Sequence, residues 1–373
     1  MTTNPIGLYI HIPFCVQKCK YCDFCSAPQT VFGSIEKYVD VLCEEILSYK
    51  NCGISVDSIF FGGGTPSLLD AVNFKKIADS IYGTFNIIDG SEISIEVNPK
   101  TLSQNNLNEY LKFGVNRFSI GVQSIHENEL KMLGRIHSFE DVKQTVKMLR
   151  DSNVSNLSVD LMYGIPGQTL ESFDETLNEI LKFSPAHISV YGLILEEGTP
   201  LMSELNSLIF PSEDEEVDMY YHASNILSEA GYRHYEISNY AMPGKRCKHN
   251  LKYWENKEYL GVGLSAHSFL NGKRFSNTDI ISDYLSSAYR SRHCNETLDK
   301  ESMKKEYVIM HLRKDDGFSF SEYENLFGEK FTNGRETLLS ELSNRGYIVI
   351  SDDVISLTRS GFYISNWILT ELL

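Results

Sequence analysis

Four cysteines stand within eleven residues near the start of the chain, in HIPFCVQKCKYCDFCS. Cys15, Cys19 and Cys22 are spaced C-x3-C-x2-C, and Cys25 follows at a further C-x2-C. Three thiolates on one short loop can hold three corners of a [4Fe–4S] cube, since each spacing lets the backbone wrap a different edge. Cys25 could supply the fourth corner of a closed, electron-transfer cluster, and paired C-x-x-C elements also hold Zn²⁺. The cysteines alone leave these readings open. A second signal lies one β–α unit further on, in FFGGGTPS. Gly62, Gly63 and Gly64 leave no side chains in the way of a ligand approaching the backbone. Such a turn could present backbone groups and the Thr65 hydroxyl to the amino end of a bound amino acid; by itself it reads as an ordinary tight turn.

These residues need elements to hold them. From residue 7 to about 195, strand patterns (Leu8–Ile12, Ser58–Phe61, Ile93–Val97, Arg117–Val122, Leu157–Met162, His187–Leu193) alternate with amphipathic helices. Ser34 can cap a helix whose apolar face is Ile35, Tyr38, Val39, Leu42 and Ile46. Ser103 can cap one carrying Leu107, Tyr110 and Leu111 that stops at Gly114, and Thr169 one that buries Leu170, Phe173, Leu177 and Ile180. Six β–α alternations imply an α/β fold with a parallel sheet and helices outside. The chemical motifs fall at the C-terminal strand ends, where such sheets carry their sites. A partial (β/α)6 TIM-like barrel over 1–195 fits better than a closed eight-fold one. Residues 196–297 read as a less regular extension with a long acidic-start helix to about Ala230. Residues 298–373 read as a winged-helix-like α+β appendage: helices, a hairpin turning across Ser351–Asp353, and a closing helix over Ser360–Leu373.

The 373 residues carry 50 acidic against 34 basic side chains, a net charge of −16. That field repels a phosphate backbone, so nucleic acid is not an expected partner and the appendage is expected to pack or act as a lid. No apolar run approaches a membrane span and no signal segment is seen, so a soluble, cytoplasmic chain is expected. Eight cysteines clustered this unevenly suit metal ligation in a reducing compartment rather than a disulfide scaffold.

Six motifs in order, YIHIPFC with C-x3-C-x2-C, GGGTPS, IEVNP, RFSIGVQS, LGRIH and DLMYGIPGQT, resemble the oxygen-independent coproporphyrinogen III oxidase superfamily of radical S-adenosylmethionine (SAM) proteins. The likeness runs over essentially the whole chain. It implies a [4Fe–4S] cluster on Cys15, Cys19 and Cys22, with the fourth iron left to the amino and carboxylate groups of SAM. It also implies that an electron from the cluster can cleave the S–C5′ bond to a 5′-deoxyadenosyl radical. Carried over by motif, Tyr9, Gly63 and Glu96 would contact that SAM. Tyr21, Gly64, Thr65, Gln123, Arg135 and Asp160 match positions that bind a second SAM in the oxidases.

The superfamily has two branches. Oxidases carry a fourth cysteine at C-x-C, where this chain has Phe24, with Cys25 one residue late. They also carry a longer N-terminal extension over the substrate, for which no room is expected before Cys15. HNLKYW at 249–254, with LGRIHS, YEISNYA and GVGLSAHS, looks more like the haem chaperone branch. That resemblance implies haem binding and delivery to apoproteins, with an electron donor for the cluster. His249, Tyr253 and Trp254 become the candidate haem contacts, ahead of Cys247 and then His267, since imidazole can ligate iron and aromatic rings can stack on a porphyrin. The same i, i+4, i+5 spacing also suits a helix core stripe. Oxidative decarboxylation of coproporphyrinogen is the second reading, and a plain iron–sulfur electron carrier the third.

Overall fold

The computed structural model describes residues 4–286 and 293–373. Its centre is six parallel strands: β1 Ile6–Ile12, β2 Ser55–Gly63, β3 Asn86–Val97, β4 Arg117–Gln123, β5 Leu157–Tyr163 and β6 His187–Gly192. They pair in sequence order with helices between them, as the alternation requires. The helix starts are capped where the hydroxyls predict: Ser34 accepts from the Lys37 amide, Ser103 from Asn106, and Thr169 from Ser172 in a reciprocal capping box. Gly114 ends its helix at φ +100°, a left-handed conformation that a Cβ would penalise.

Alternation along the strands separates two environments. Ile93, Ile95 and Val97 of β3, and Phe118 and Ile120 of β4, join the large core under the helices. Glu92, Ser94 and Glu96, with Arg117 and Ser119, occupy the intervening positions, which face the barrel interior. Register then aligns them, placing Glu96 opposite Ser119 and Asp160 opposite Ser189. The interior is therefore unusually polar, and side chains must satisfy one another there.

Residues 196–297 prolong this sheet rather than stand apart from it. Tyr259–Val262 pairs parallel with β1, and His267–Leu270, Lys273–Ser276 and His293–Thr297 follow antiparallel. At the other edge, Asn239–Ala241 and Arg233–Glu236 add antiparallel strands beside β6, making twelve strands among the described residues. The last 70 or so residues build a core of their own around Tyr307, Phe318, Phe331 and Ile355. There the hairpin Ile348–Ser351 and Val354–Leu357 forms as expected, joined by Phe318–Ser319. The closing helix is broken into Arg359–Tyr363 and Ser365–Leu372. Gly361 presses on the Tyr347 carbonyl, where a Cβ would come within 2.0 Å, and the break falls at Ile364 with φ −104° and ψ 23°.

A buried carboxylate locks the β1 edge. Glu45, on the helix Ile35–Ser48, accepts from the Gly263 amide at 2.9 Å, Asn277 Nδ2 at 2.6 Å and the Tyr284 hydroxyl at 2.6 Å. Tyr38, two turns earlier on the same helix face, donates to the His11 carbonyl and accepts from the Leu264 amide. Removing one partner of so buried a network costs about 3 kcal/mol, whereas an exposed neighbour is worth within about 0.5 kcal/mol. Glu45→Ala should thus lower the urea midpoint markedly while Glu44→Ala leaves it unchanged; equal midpoints would contradict the network's role.

Candidate functional site

The cysteine loop leaves the C-terminal end of β1 and is pinned on both sides. The Gly64 amide donates to the Ile12 carbonyl at 2.8 Å, and the Lys20 amide to the Leu133 carbonyl at 2.9 Å. Beyond, the Leu201 amide donates to the Lys20 carbonyl, and Lys20 pairs with Glu204 at 2.8 Å. Gly134 of LGRIH turns at φ +74° with the Lys20 backbone packed against it, which explains a glycine at that position.

Cys15, Cys19 and Cys22 line one cavity of about 350 Å³ at the mouth of the barrel. Tyr21, Gly63, Gly64, Thr65, Glu96, Gln123, Arg135 and Asp160 line the same cavity. Tyr9 alone of the expected SAM contacts lies elsewhere, in an adjoining cavity that shares Gly63 and Glu96. Among the described residues no three His, Cys, Asp or Glu side chains close on a single ion. The structure carries two marks of a ligand-accepting site. A Cβ on Gly64 would come within 2.7 Å of the Phe14 carbonyl and 2.9 Å of Cys15 Sγ, so only glycine lets this backbone lie directly against the thiol loop. Arg135 Nε and Gln123 Oε1 are buried in the cavity wall without a hydrogen-bond partner among the described residues. Three thiols, an unpartnered guanidinium nitrogen and an open glycine backbone fit a cluster with an amino acid-like ligand on it.

The charged groups explain themselves locally. Gln123 takes φ +67° at a register shift between β4 and β5, which re-aims its side chain. The Arg135 guanidinium donates to Asn98 Oδ1 at 3.2 Å, to the Gly121 carbonyl, and to Cys19 Sγ at 3.6 Å. Burial works against its charge, and Tyr21 and Cys19 beside it more than offset that. Asp160 accepts from Ser189 Oγ at 2.7 Å and Ser119 Oγ at 3.2 Å. Burial nevertheless lifts its pKa, against the pull of those hydroxyls and of Arg117. Burial, then Asp160, pushes Glu96 up to about 8, although it accepts from the Gly63 amide at 3.1 Å. A carboxyl so poised would gain most from a cation such as an amino group placed beside it. Burial raises the Cys15 thiol too, and hydroxyls at Ser26 and Thr65 pull it back towards thiolate.

Sequence reasoning missed Asn98, Ser119 and Ser189, which position Arg135 and Asp160. The strand period could have found the two serines, because both share the interior phase with Asp160, and Asn98 lies inside IEVNP.

Of the expected haem residues, His249 and Tyr253 meet, and Trp254 faces away from them. Helix Lys248–Trp254 closes the N-terminal end of the barrel, away from the cysteine loop. His249 is fully buried, with Nδ1 on Ser58 Oγ at 3.1 Å and Nε2 on the Tyr253 hydroxyl at 2.9 Å. Burial, then Lys252, holds its pKa down to about 3. Both ring nitrogens are hydrogen-bonded, which ties His249 into the packing of the helix Lys248–Trp254 against the barrel. Cys247 is equally buried, against Glu92, and burial pushes its thiol up to about 12. Trp254 faces Arg313, 5.8 Å from its ring, at the C-terminal unit. Of this motif Tyr253 lines a cavity, the one beside Tyr9 that also holds Cys25 and His267. Cys25 therefore lines a different cavity from the other three thiols, and its Sγ lies 3.7 Å from the Asp279 carbonyl.

Comparison with known proteins places the arrangement. The model of the Radical SAM superfamily matches residues 9–180, and that of the HemN C-terminal domain residues 298–364. The heme chaperone HemW of Lactococcus lactis is 34% identical, over 100% of this chain and 98% of that protein. The chain belongs to the HemW branch of the radical SAM family. The heme chaperone HemW of Bacillus subtilis is 33% identical over 96% of both chains. The solved structure of coproporphyrinogen III oxidase (HemN) from Escherichia coli shares the fold, with a TM-score of 0.86 at 22% identity over 99% of this chain and 90% of that one. Membership brings a [4Fe–4S] cluster and SAM, which together supply one-electron chemistry at a sulfonium when bound.

Glu96 sets a pH test. Its folded pKa of about 8 exceeds the ordinary glutamate value of about 4.3, so between these the folded chain holds a proton that the unfolded chain has lost. Stability from this group is complete below the ordinary value and is lost as pH rises through about 8. The melting temperature of the cluster-free chain should fall over that window. Glu96→Gln should flatten part of the fall, leaving the same-signed contribution of Asp160; parallel curves would contradict it.

Proposed function

We propose that this chain binds haem and delivers it to apoproteins, carrying a [4Fe–4S] cluster on Cys15, Cys19 and Cys22 with SAM on the remaining iron. The observation that carries the reading is full-length kinship with proteins named heme chaperones. Phe24 supports it, standing 67% exposed at the position where the resemblance puts a fourth cysteine in the oxidases. The chain's own residues supply the rest: Glu96, with Gly63, takes the amino group of the cluster-bound SAM, and Tyr21, Gly64, Thr65, Gln123, Arg135 and Asp160 hold a second SAM, with Arg135 on its carboxylate and Asp160 on its amino group or ribose hydroxyls. Tyr9 supports the cluster-bound SAM from the neighbouring cavity, through the shared Gly63–Glu96 wall. A cytoplasmic reductant serves the cluster. The placement of Cys25 in the other cavity favours an open iron over a closed electron-transfer cluster, and Cys25 is read as a separate thiol. Among the described residues no helix is long and apolar enough to cross a membrane.

Anaerobic reconstitution followed by haemin titration should give a saturable Soret shift. The same sample, reduced and supplied with SAM and coproporphyrinogen III, should form no protoporphyrinogen. Protoporphyrinogen would restore the oxidase reading, and an unshifted Soret band would remove the chaperone one.

A further inference from the structure

Glu129 lies in IHENEL, between RFSIGVQS and LGRIH, where none of the six motifs reaches. On the short helix Glu127–Met132 its neighbours Glu127 and Asn128 are exposed, while Glu129 itself is 1% exposed. A carboxylate carries acceptors alone, so burying it demands donors. Three segments supply them. Ser124 Oγ donates to Oε2 at 2.6 Å, Gln168 Nε2 to the same oxygen at 3.2 Å, and Ser172 Oγ to Oε1 at 2.6 Å. Glu129 is not among the residues of either cavity at the barrel mouth.

Two of the donors adjoin the main cavity, and the third anchors them. Ser124 directly follows Gln123. Gln168 also donates to the carbonyl of Met162, a cavity residue two places beyond Asp160, at 3.2 Å. Ser172 belongs to the capping box that starts the helix Leu170–Leu181. The helix of Glu129 leads on to Arg135, whose amide donates to the Leu130 carbonyl at 2.8 Å.

Gln123 needs such support. It takes φ +67°, and the Ser124 amide donates across it to the Val122 carbonyl at 2.9 Å, which closes the rare γ-turn with a positive central φ. A side chain other than glycine stays in that conformation only where its surroundings over-determine it. Here Arg135 holds the Gly121 carbonyl, and His137 Nε2 donates to the Val122 carbonyl at 3.1 Å. Ser124 Oγ accepts from the His126 amide at 3.0 Å and is tied down by Glu129. The turn leaves Gln123 Oε1 buried in the cavity wall with no partner among the described residues.

We propose that Glu129 is a positioning residue: through Ser124 it holds the strained turn that presents the Gln123 amide to the second SAM, and it does not touch that ligand. This rests on the SAM-binding reading above and deepens it by naming what fixes the site. Through Gln168 the same carboxylate couples the C-terminal ends of β4 and β5, which carry Gln123 and Asp160.

The test is equilibrium dialysis of labelled SAM against the anaerobically reconstituted full-length protein. Electron paramagnetic resonance of the reduced cluster reports separately on the cluster-bound SAM. The wild type should take up two equivalents. Glu129→Leu, which keeps the bulk and removes the acceptors, should weaken the second equivalent by about tenfold and leave iron content and the response of the cluster signal unchanged. Gln123→Ala should weaken it to the same degree, and the two changes together no further than either alone, since residues that act through one another are not additive. Ser124→Ala should reproduce the loss. Glu129→Gln should restore most of the binding, because it keeps one acceptor and a serine hydroxyl can turn to accept from its amide. Should Glu129→Leu fail to fold, Ser124→Ala decides alone. Wild-type affinity for the second equivalent in Glu129→Leu or in Ser124→Ala overturns the proposal. So does a double variant whose losses add in full, or a Glu129→Leu chain that loses the cluster-bound SAM equally. A wild type that takes up one equivalent or none overturns the two-SAM reading itself.

Discussion

The approach of the Gly63–Gly64 backbone to the cysteine loop is the constraint on which the site depends. At 2.9 Å from Cys15 Sγ, the place of a Gly64 Cβ is already taken. Only glycine lets the end of β2 run this close to the thiols while leaving a free face for a ligand. The Gly64 amide on the Ile12 carbonyl fixes the approach. Leu133 and Gly134 hold the loop from the far side. The barrel strands thus deliver two turns to one point, and the other site residues are arranged around it.

Beneath that point the barrel interior carries charges that its surroundings balance incompletely. Arg117, 2% exposed, is held protonated by Cys247, Glu92, Tyr235 and Asp160 in spite of burial. Glu96 and Asp160 are both pushed up by burial, and Arg135 keeps an unpartnered Nε. Such groups are costly in a core that merely packs, and they are expected where a charged ligand completes the balance. The helix Lys248–Trp254 closes the other end, with His249 and the Cys247 thiol turned inward. It makes the interior a cup rather than a channel.

Much of this was legible in the residues. The six central strands follow from period-two alternation, and Ser34, Ser103 and Thr169 cap where they should. Motif order pointed to the three thiols, Tyr21, Glu96, Gln123, Arg135 and Asp160 at the main cavity, and not to Ser119, Asn98 or Tyr191. The edge strands were not legible, because segments such as Asn239–Ala241 and Tyr259–Val262 are too short to show a period and pair with distant β6 and β1. The burial of His249 is not legible for a related reason: i, i+4, i+5 spacing describes a helix face without saying which surface covers it. Cys25 is separated from its three neighbours by a turn of the loop that spacing alone does not resolve.

The central claim is a cube held by three thiolates with one iron open to a sulfonium. Electron paramagnetic resonance of the reduced, oxygen-protected protein, before and after SAM, tests it most directly. The account predicts a [4Fe–4S]⁺ signal whose g-values move on adding SAM, and the same signal and response in Cys25→Ser. A signal indifferent to SAM, or one that Cys25→Ser abolishes, would contradict it.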